Sequence, residues 1–347
     1  MVSYLQKKRI VMKRIAFITG LVIVLFTACT KELSNDFNAY TNHPLNDTVW
    51  VKTVASTASI HDLPKLFAGA LLTDSVDVTK DTTLTYGDSL EVMIPAGSFV
   101  TTPGGTVKAR LEIYQLKKKG DFIRAFKPTV SGDSILTSQG TFFVRVTKDG
   151  NELTLAPGAT IRFRFADPDM QAIQSSSNAL PFFGREGSPV PVNGIDTAFT
   201  WRLFENFTNV LKPYLKQTNS GVIRGYELTT KTLHWISAQN LLDSTRSNNT
   251  KITVILPLNY TNKNTVVFAV LAERKTIVNL SADFASRSFS RSGFPAKVKL
   301  KLITISKIGD DIYLGSKDIV DPGTGAIYSL TPEKKTLSSV LQFIDGL

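Results

Sequence analysis

The sequence predicts an all-β protein with two tandem β-sandwich-like domains, a short helix before the first domain and a helix at the C-terminus. Two observations predict this class. Short stretches in which apolar and polar residues alternate recur along the chain, as expected for strands with one face in water. Gly, Pro and Asp-Gly turn signals separate these stretches, and the hydrophobic fraction of 42% is typical of a globular chain.

The first segment of the chain is predicted to be an export signal. An apolar run at 15–26 follows two basic residues and ends in small residues before Cys29, the only cysteine. The run is shorter than the ~20 apolar residues that a membrane-spanning helix needs. The stretch "FTAC" resembles a bacterial lipobox, in which the cysteine thiol becomes the lipid attachment point. We therefore predict a signal peptide at 1–28, with Met12 as the natural start, and lipidation at Cys29. The alternative is an ordinary thiol at the end of a signal peptide or of a short anchor.

Charge and cysteine content limit the function classes. Residues 1–28 carry five basic side chains and no acid, so the net charge falls from +11 to +6 in the mature chain. Export and the lack of an aromatic and basic stripe exclude nucleic acid as a partner. With one lipidated cysteine there is no intrachain disulfide, so both domains need large apolar cores.

The first domain is predicted to follow a tether. Residues 29–55 are polar and rich in Asn and Thr, which favours a flexible tether. Residues 56–167 form the first sandwich in this interpretation. Within it, Leu63 and Phe67 have helical spacing, and alternating strands follow from about residue 74. Asp149-Gly150 predicts a tight hairpin turn.

The second domain is predicted to follow an irregular connection. Residues 168–200 are rich in Ser, Pro and Gly, as connections are. Residues 201–347 read as a second β-rich domain, in which lysines at 297, 299 and 301 form an outer face of the kind that edge strands carry. A C-terminal helix is predicted after Pro332, ending before Gly346.

Three blocks of the first domain carry a resemblance to a known family. They are "IPAGSFV", "GGTVKARLEIYQLKKKGDFI" and "LTSQGTFFVRVTKDGNELTLAPGATI". In order and spacing they resemble the N-terminal module of a family of Bacteroidota lipoproteins, a β-sandwich similar to that of ankyrins and netrin receptors. The resemblance covers about residues 75–167. It implies this fold and an envelope location, namely an outer-membrane lipoprotein on the periplasmic or cell-surface face. It carries over no catalytic residue, and Glu32 after the cysteine is a weak signal for surface display.

Few residues suggest catalysis. The three histidines, His43, His61 and His234, lie in the predicted tether, the short helix and a strand. No Gly-x-Ser-x-Gly elbow accompanies them, and no Cys and His cluster predicts zinc. We therefore predict no enzyme activity, no metal and no cofactor.

Paired carboxylates keep one enzymatic alternative open, a carbohydrate-active hydrolase. The closest pairs are Asp167 with Asp169, and Asp310 with Asp311, although both occur where turns favour Asp. Together with Asp196, the first pair could also ligate calcium.

Two basic clusters are the candidate binding residues. Lys117, Lys118 and Lys119 resemble a hairpin tip, and "ASRSFSRSGFPAK" places Arg287, Phe289 and Arg291 in a predicted loop. These residues could meet phosphate, acidic sugars or anionic lipid, or they could be ordinary solvated loops.

The sequence as a whole favours a non-catalytic binding or scaffold module of the cell envelope. Lipid would hold it at the membrane, and its partner would be a glycan, a peptide or an envelope protein, because sandwiches carry binding residues on their end loops. An assembly subunit is a further interpretation, and it predicts a large exposed apolar patch.

Overall fold

The protein is mostly β, as the computed structural model shows. The structure describes residues 44–101, 107–167, 179–186, 199–204, 210–218, 221–242 and 250–347. Cys29 and the signal segment lie outside the described residues. Within the described ranges, no helix is long and apolar enough to cross a membrane. Residues Asp47 to Leu347 form one compact unit. A 3-10 turn at Pro44–Asn46 precedes it in sequence.

The first β-sandwich consists of two sheets. Sheet A contains β1 (Leu72–Asp77), β4 (Lys108–Leu116), β6 (Ser134–Lys148), β9 (Leu180–Arg185), β10 (Thr200–Leu203) and β13 (His234–Leu241), with the short β5 (Val130–Ser131) and β7 (Asn151–Glu152) on β6. Sheet B contains β2 (Thr82–Tyr86), β3 (Leu90–Ile94), β8 (Ile161–Ala166), β11 (Leu211–Thr218) and β12 (Gly221–Thr230). The strand orders are β1-β4-β6-β13-β9-β10 and β11-β12-β8-β3-β2.

The core of this sandwich follows from period-2 alternation in both sheets. Val144 and Val146 of β6 face Phe163 and Phe165 of β8 across one apolar core, and all four side chains are buried. The outward residues of the same strands are polar, as the sequence predicts. The predicted hairpin at Asp149-Gly150 is confirmed, because both residues have positive φ between β6 and β7.

A third sheet forms the second β unit. Sheet C contains β14 (Thr250–Ile255), β15 (Thr265–Leu271), β16 (Ile277–Asp283), β17 (Ser288–Phe294), β18 (Leu300–Ile308), β19 (Asp311–Ile319), β20 (Ile327–Ser329) and β21 (Glu333–Lys335). The order is β20-β14-β17-β16-β15-β18-β19-β21, and only the β14–β20 pair is parallel. Val254 of β14 and Leu302 of β18 lie in one buried cluster, so opposite parts of the sheet share a core.

Three short helices lie between the two β units. They are α1 (Leu63–Phe67), α2 (Lys119–Arg124) and α3 (Leu337–Asp345), and a 3-10 turn at Ser59–Asp62 leads into α1. The predicted helices before the first domain and at the C-terminus are therefore confirmed. The C-terminal helix begins later than Pro332, because β21 intervenes and Thr336 caps the helix by accepting a hydrogen bond from the Ser339 N–H.

A buried apolar cluster joins the helices to both β units, and we call it the junction core. It is made of Leu63 and Phe67 of α1, Phe122 and Ile123 of α2, Val340 and Ile344 of α3, Trp201 and Trp235 of sheet A, and Phe268, Ile303 and Ile305 of sheet C, with their neighbours. Backbone hydrogen bonds reinforce it, from the Thr129 N–H to the Ile277 carbonyl and from the Ser138 N–H to the Lys275 carbonyl. The two β units are therefore one packed body.

The strand pairing differs from the predicted division at 168–200. Part of that range forms β9, which pairs with β10 and β13. Strand β13 also pairs with β6, and β12 pairs with β8, so strands assigned to the second domain complete the first sandwich. Sheets A and B thus take their strands from the range 72–241, and sheet C takes its strands from 250–335. Local composition could not indicate this, because the pairings join residues that are distant in sequence.

The lysine-faced stretch at 297–302 is not an edge. Strand β18 begins at Leu300 and pairs with β15 on one side and β19 on the other. Its alternate residues Leu300 and Leu302 are buried in the core of sheet C, which leaves the lysines on the opposite face. Lys301 there forms an ion pair with Asp318, at 2.6 Å.

Candidate functional site

The lysine run at 117–119 starts a helix and is not a hairpin tip. Lys118 is the N-cap of α2, and the backbone N–H groups of Lys117 and Lys118 both donate to Asp121 Oδ2 at 2.8 Å. This carboxylate satisfies donors that a helix start leaves free. Lys119 points to sheet C, where its Nζ donates to the carbonyl of Ala272.

The second basic cluster is not one loop either. Arg287 has a φ of 49° in the turn between β16 and β17, whereas Phe289 and Arg291 belong to β17. Phe289 is 3% exposed, and its ring centroid lies 5.1 Å from that of Trp50. Burial lowers the pKa of Arg291, whose Nη2 donates to the Gly132 carbonyl at 2.6 Å. Phe289 is thus a core residue, and the serines around it hid the strand pattern.

The two basic clusters do not meet. No hydrogen bond or ion pair found among the described residues joins Lys117–Lys119 to Arg287 or Arg291. Lys119 contacts the end of β15, whereas Arg291 contacts the turn between β5 and β6. Of the six predicted binding residues, only Lys119 lines a described cavity, the one characterised next.

A cleft of about 350 Å³ opens where sheet C meets α2 and α3, and we call it the lysine cleft. Its lining residues are Lys119, Val270, Leu271, Ala272, Lys299, Leu300, Lys301, Asp318, Ile319, Val320, Gly346 and Leu347. The ends of β15 and β19 and the beginning of β18 supply most of them. Regular sheet and helix geometry therefore fixes the walls of the cleft.

Ala272 links the side chain of Lys119 to the backbone of Lys299. Its N–H donates to the Lys299 carbonyl at 2.9 Å, and its own carbonyl accepts from Lys119 Nζ. Lys301 lies two residues beyond Lys299 and is paired with Asp318. Three ammonium groups and one carboxylate thus line a small cleft, so its side chains carry a net charge of about +2 at neutral pH.

The walls between these charges are apolar. Val270, Leu271, Leu300 and Ile319 are all buried, and Val320 at the cleft is 71% exposed. Low-polarity surroundings weaken the solvation of a nearby charge. Accordingly, burial lowers the pKa of Lys119. An anion beside Lys119 would therefore meet a cation that water solvates poorly.

The sequence identified the lysine segments of this cleft but not that they line the same cavity. The run at 117–119 and the lysine face at 297–301 were separate observations, about 180 residues apart. Only the packing of α2 on sheet C brings them together. No local pattern near either segment could have indicated this contact.

The predicted catalytic groups are dispersed. His43, Asp169 and Asp196 lie outside the described residues. Asp167 is buried at the end of β8, and Asp311 forms an ion pair with Lys334 at 2.7 Å beside the turn that holds Asp310.

The two described histidines lie in different elements of the fold. His61 lies in the 3-10 turn before α1. His234 has a φ of 66°, pairs with Glu152, and stacks on Phe143 with ring centroids 5.7 Å apart. Across the described ranges, no three His, Cys, Asp or Glu side chains group as metal ligands would.

The structure does bring two glutamates together that sequence reasoning missed. Glu91 of β3 and Glu227 of β12 flank Arg164 of β8, whose Nε lies 2.7 Å from Glu227 Oε2. Lys216 pairs with Glu91, and the Tyr214 ring centroid lies 4.8 Å from the Arg164 guanidinium carbon. Hydrogen bonding to Glu227 raises the pKa of Arg164.

This glutamate array suits ion pairing across sheet B. Each carboxylate is already bound by a cation, whereas a glycosidase pair needs one carboxyl group that can deliver a proton to the glycosidic oxygen. The array therefore does not favour hydrolysis over binding.

A second, wider cavity of about 840 Å³ borders β10. Its lining residues are Ser131, Gly132, Phe183, Thr200, Trp201, Arg202, Leu203 and Phe204. Arg202 is the one charged side chain among them. Of these two cavities, the lysine cleft is the one lined by several charged side chains.

Comparison with known proteins adds no family to this picture. A scan against protein-family models and a search of curated proteins both return no match to the chain.

Proposed function

We propose that this protein is an exported, lipid-anchored envelope component that binds a partner without transforming it chemically. The observation that carries the binding part is the lysine cleft, with three ammonium groups over apolar walls on a rigid frame. Small-molecule and peptide sites commonly combine apolar walls with a few placed polar groups. The partner is a glycan, a peptide or an envelope protein with acidic character.

The frame of the cleft supports recognition over catalysis. Its titratable side chains are three lysines and one aspartate, and that aspartate is bound by Lys301. Such a set attracts and orients negative charge. General acid–base catalysis instead uses a group that exchanges a proton with the substrate.

The location rests on the sequence around Cys29. Two acyl chains on this cysteine would hold the protein at the outer membrane, on its periplasmic or its outer face, because two chains give stable anchoring where one does not. The mass of the purified full-length product tests this, with Cys29→Ala as the matched control. We expect an acylated N-terminal cysteine in the native chain and a membrane-free product from the variant. An unacylated native chain would overturn the anchoring.

The binding function is tested in detergent-solubilised membranes. The full-length protein, tagged at its C-terminus, is compared with the double variant Lys119→Ala/Lys299→Ala and with Lys231→Ala. Lys231 is also exposed but does not line the cleft. We expect a co-purifying partner with native protein and with Lys231→Ala, and its loss with the double variant. Identical companions in all three would show that the cleft is not the binding site.

A further inference from the structure

We infer that the lysine cleft binds a small amphipathic anion, an acidic headgroup joined to a short alkyl chain. This inference rests on the proposed function, because it takes the cleft to be the binding site, and it goes beyond that function by naming a small ligand that is neither a glycan, a peptide nor a protein. Three properties of the cleft favour this ligand class, namely its size, the nature of its walls and the bonding of its lysines.

Size favours a small ligand. A volume of about 350 Å³ is at the low end of ligand pockets, which span roughly 300–1,000 Å³. Regular elements on several sides, β15, β18, β19 and the ends of α2 and α3, set this volume. A folded partner could place only one small group inside.

The walls favour an alkyl group over a sugar. No aromatic side chain is among the lining residues, all of which are described, and the one carboxylate, Asp318, is already bound by Lys301. A neutral sugar would therefore find no aromatic face to stack on and no unpaired carboxylate for its hydroxyl groups. Val320, which is 71% exposed, offers an apolar surface at the cleft instead, against which the methylene groups of a ligand can be buried.

The lysines favour an acidic headgroup at one end of the cleft. Lys299 is exposed, and none of the described residues pairs with its ammonium group. Lys119, which lines the same cleft, donates from Nζ to one carbonyl and keeps two further N–H donors. An acidic oxygen between Lys119 and Lys299 would receive charge-assisted hydrogen bonds from both.

Octanoate tests this ligand class against two matched probes. Octan-1-ol has the chain without the charge, and acetate has the charge without the chain. The full-length protein is held in nanodiscs of zwitterionic lipid, and each probe is added at equal concentration before a brief pulse of an amine-acetylating reagent. Mass spectrometry then reads the acetylation of each lysine, so that Lys231 serves as a control within the same sample.

We expect octanoate to protect Lys119 and Lys299 at least about threefold more than Lys231, and octan-1-ol and acetate to protect neither. In Lys299→Ala we expect the octanoate concentration for half-protection of Lys119 to rise about tenfold, which equals about 1.4 kcal/mol. Equal protection by octan-1-ol or by acetate would overturn the amphipathic class.

A second arm of the experiment tests whether the acidic ligand is a free amphiphile or an anionic lipid of the membrane. Nanodiscs that contain phosphatidylglycerol should leave both lysines as reactive as in zwitterionic discs, because the inferred ligand is a free amphiphile. Protection by this lipid without octanoate would assign the lysines to the membrane surface and overturn the inference. If octanoate does not protect the lysines while Lys119→Ala/Lys299→Ala still loses its co-purifying partner, only the inferred ligand class is wrong. If the lysine substitutions change neither the co-purification of a partner nor the protection by octanoate, the proposed function is wrong as well.

Discussion

Substituting Gly120 by alanine tests how closely α2 and α3 pack beside the lysine cleft. A β-carbon at position 120 would lie 2.2 Å from the carbonyl oxygen of Ile344, whereas ordinary contacts begin at 3.4 Å. The last turn of α3 would therefore have to move by about 1.2 Å. Because Ile344 is fully buried in the junction core, this movement would disturb tight packing.

Two effects of opposite sign set the magnitude. Alanine is favoured over glycine in a helix by about 1 kcal/mol, whereas overpacking a core costs about 1–3 kcal/mol. The ion pair between Arg124 and Asp345, at 2.9 Å across the two helices, would also weaken, by a few tenths of a kcal/mol at most. Because the clashing atom is a backbone oxygen, we take the upper part of the overpacking range, about 2–3 kcal/mol, and expect a net loss of about 1–2 kcal/mol. Such a loss lowers Tm by about 2–3 °C in a unit of roughly 300 residues.

Thermal unfolding of the full-length protein measures this loss, with Gly346→Ala, at the end of the neighbouring helix α3, as the control. A β-carbon at Gly346 would meet its nearest atom at 3.5 Å, and its φ of −86° is open to any residue. The control should stay within about 1 °C of the native Tm. A Gly120→Ala protein as stable as the native one, or an equal loss in Gly346→Ala, would refute the packing argument.

Two further predictions concern other parts of the fold. Trp201→Ala should lower the free energy of unfolding by about 3–5 kcal/mol, because the side chain is fully buried and its Nε1–H donates to the Pro128 carbonyl. Denaturant titration measures this loss, and a value under about 1 kcal/mol would contradict the role of Trp201 in the junction core. Thr79→Val should raise the pKa of Asp77, which the Thr79 hydroxyl and N–H hold below its ordinary value. The stability from Asp77 is present above its unfolded pKa and is lost as pH falls through the lowered folded pKa, so the variant should lose part of it; a carboxyl pKa that NMR titration finds unchanged would disprove this.

The sequence was sufficient where the signal is local. Alternation at 161–166 predicted a strand because neighbouring residues face opposite sides of a sheet, and Asp149-Gly150 predicted a turn because both positions need positive φ. Helical spacing predicted α1 and α3 for the same kind of reason. Each of these patterns is complete within about ten residues.

The sequence was insufficient where the outcome depends on distant partners. The Ser-rich stretch around Phe289 gave no strand signal, although Trp50 and the core of sheet C bury that ring. Strand β9 lies in a segment of turn-forming composition and is held by β13, about 50 residues later. The lysine cleft depends on the same kind of contact, since it needs Lys119 and Lys299 to meet.

The presence of both α1 and α3 in the junction core sets a time order for folding during synthesis. Leu63 and Ile344 are 281 residues apart, an interval that a ribosome translating about 5–20 residues per second covers in about 14–56 s. The strands of the first sandwich emerge within that interval, but the face of sheet A that carries Trp235 cannot receive its last cover until α3 has emerged. The nascent chain therefore exposes an apolar surface until α3 has emerged.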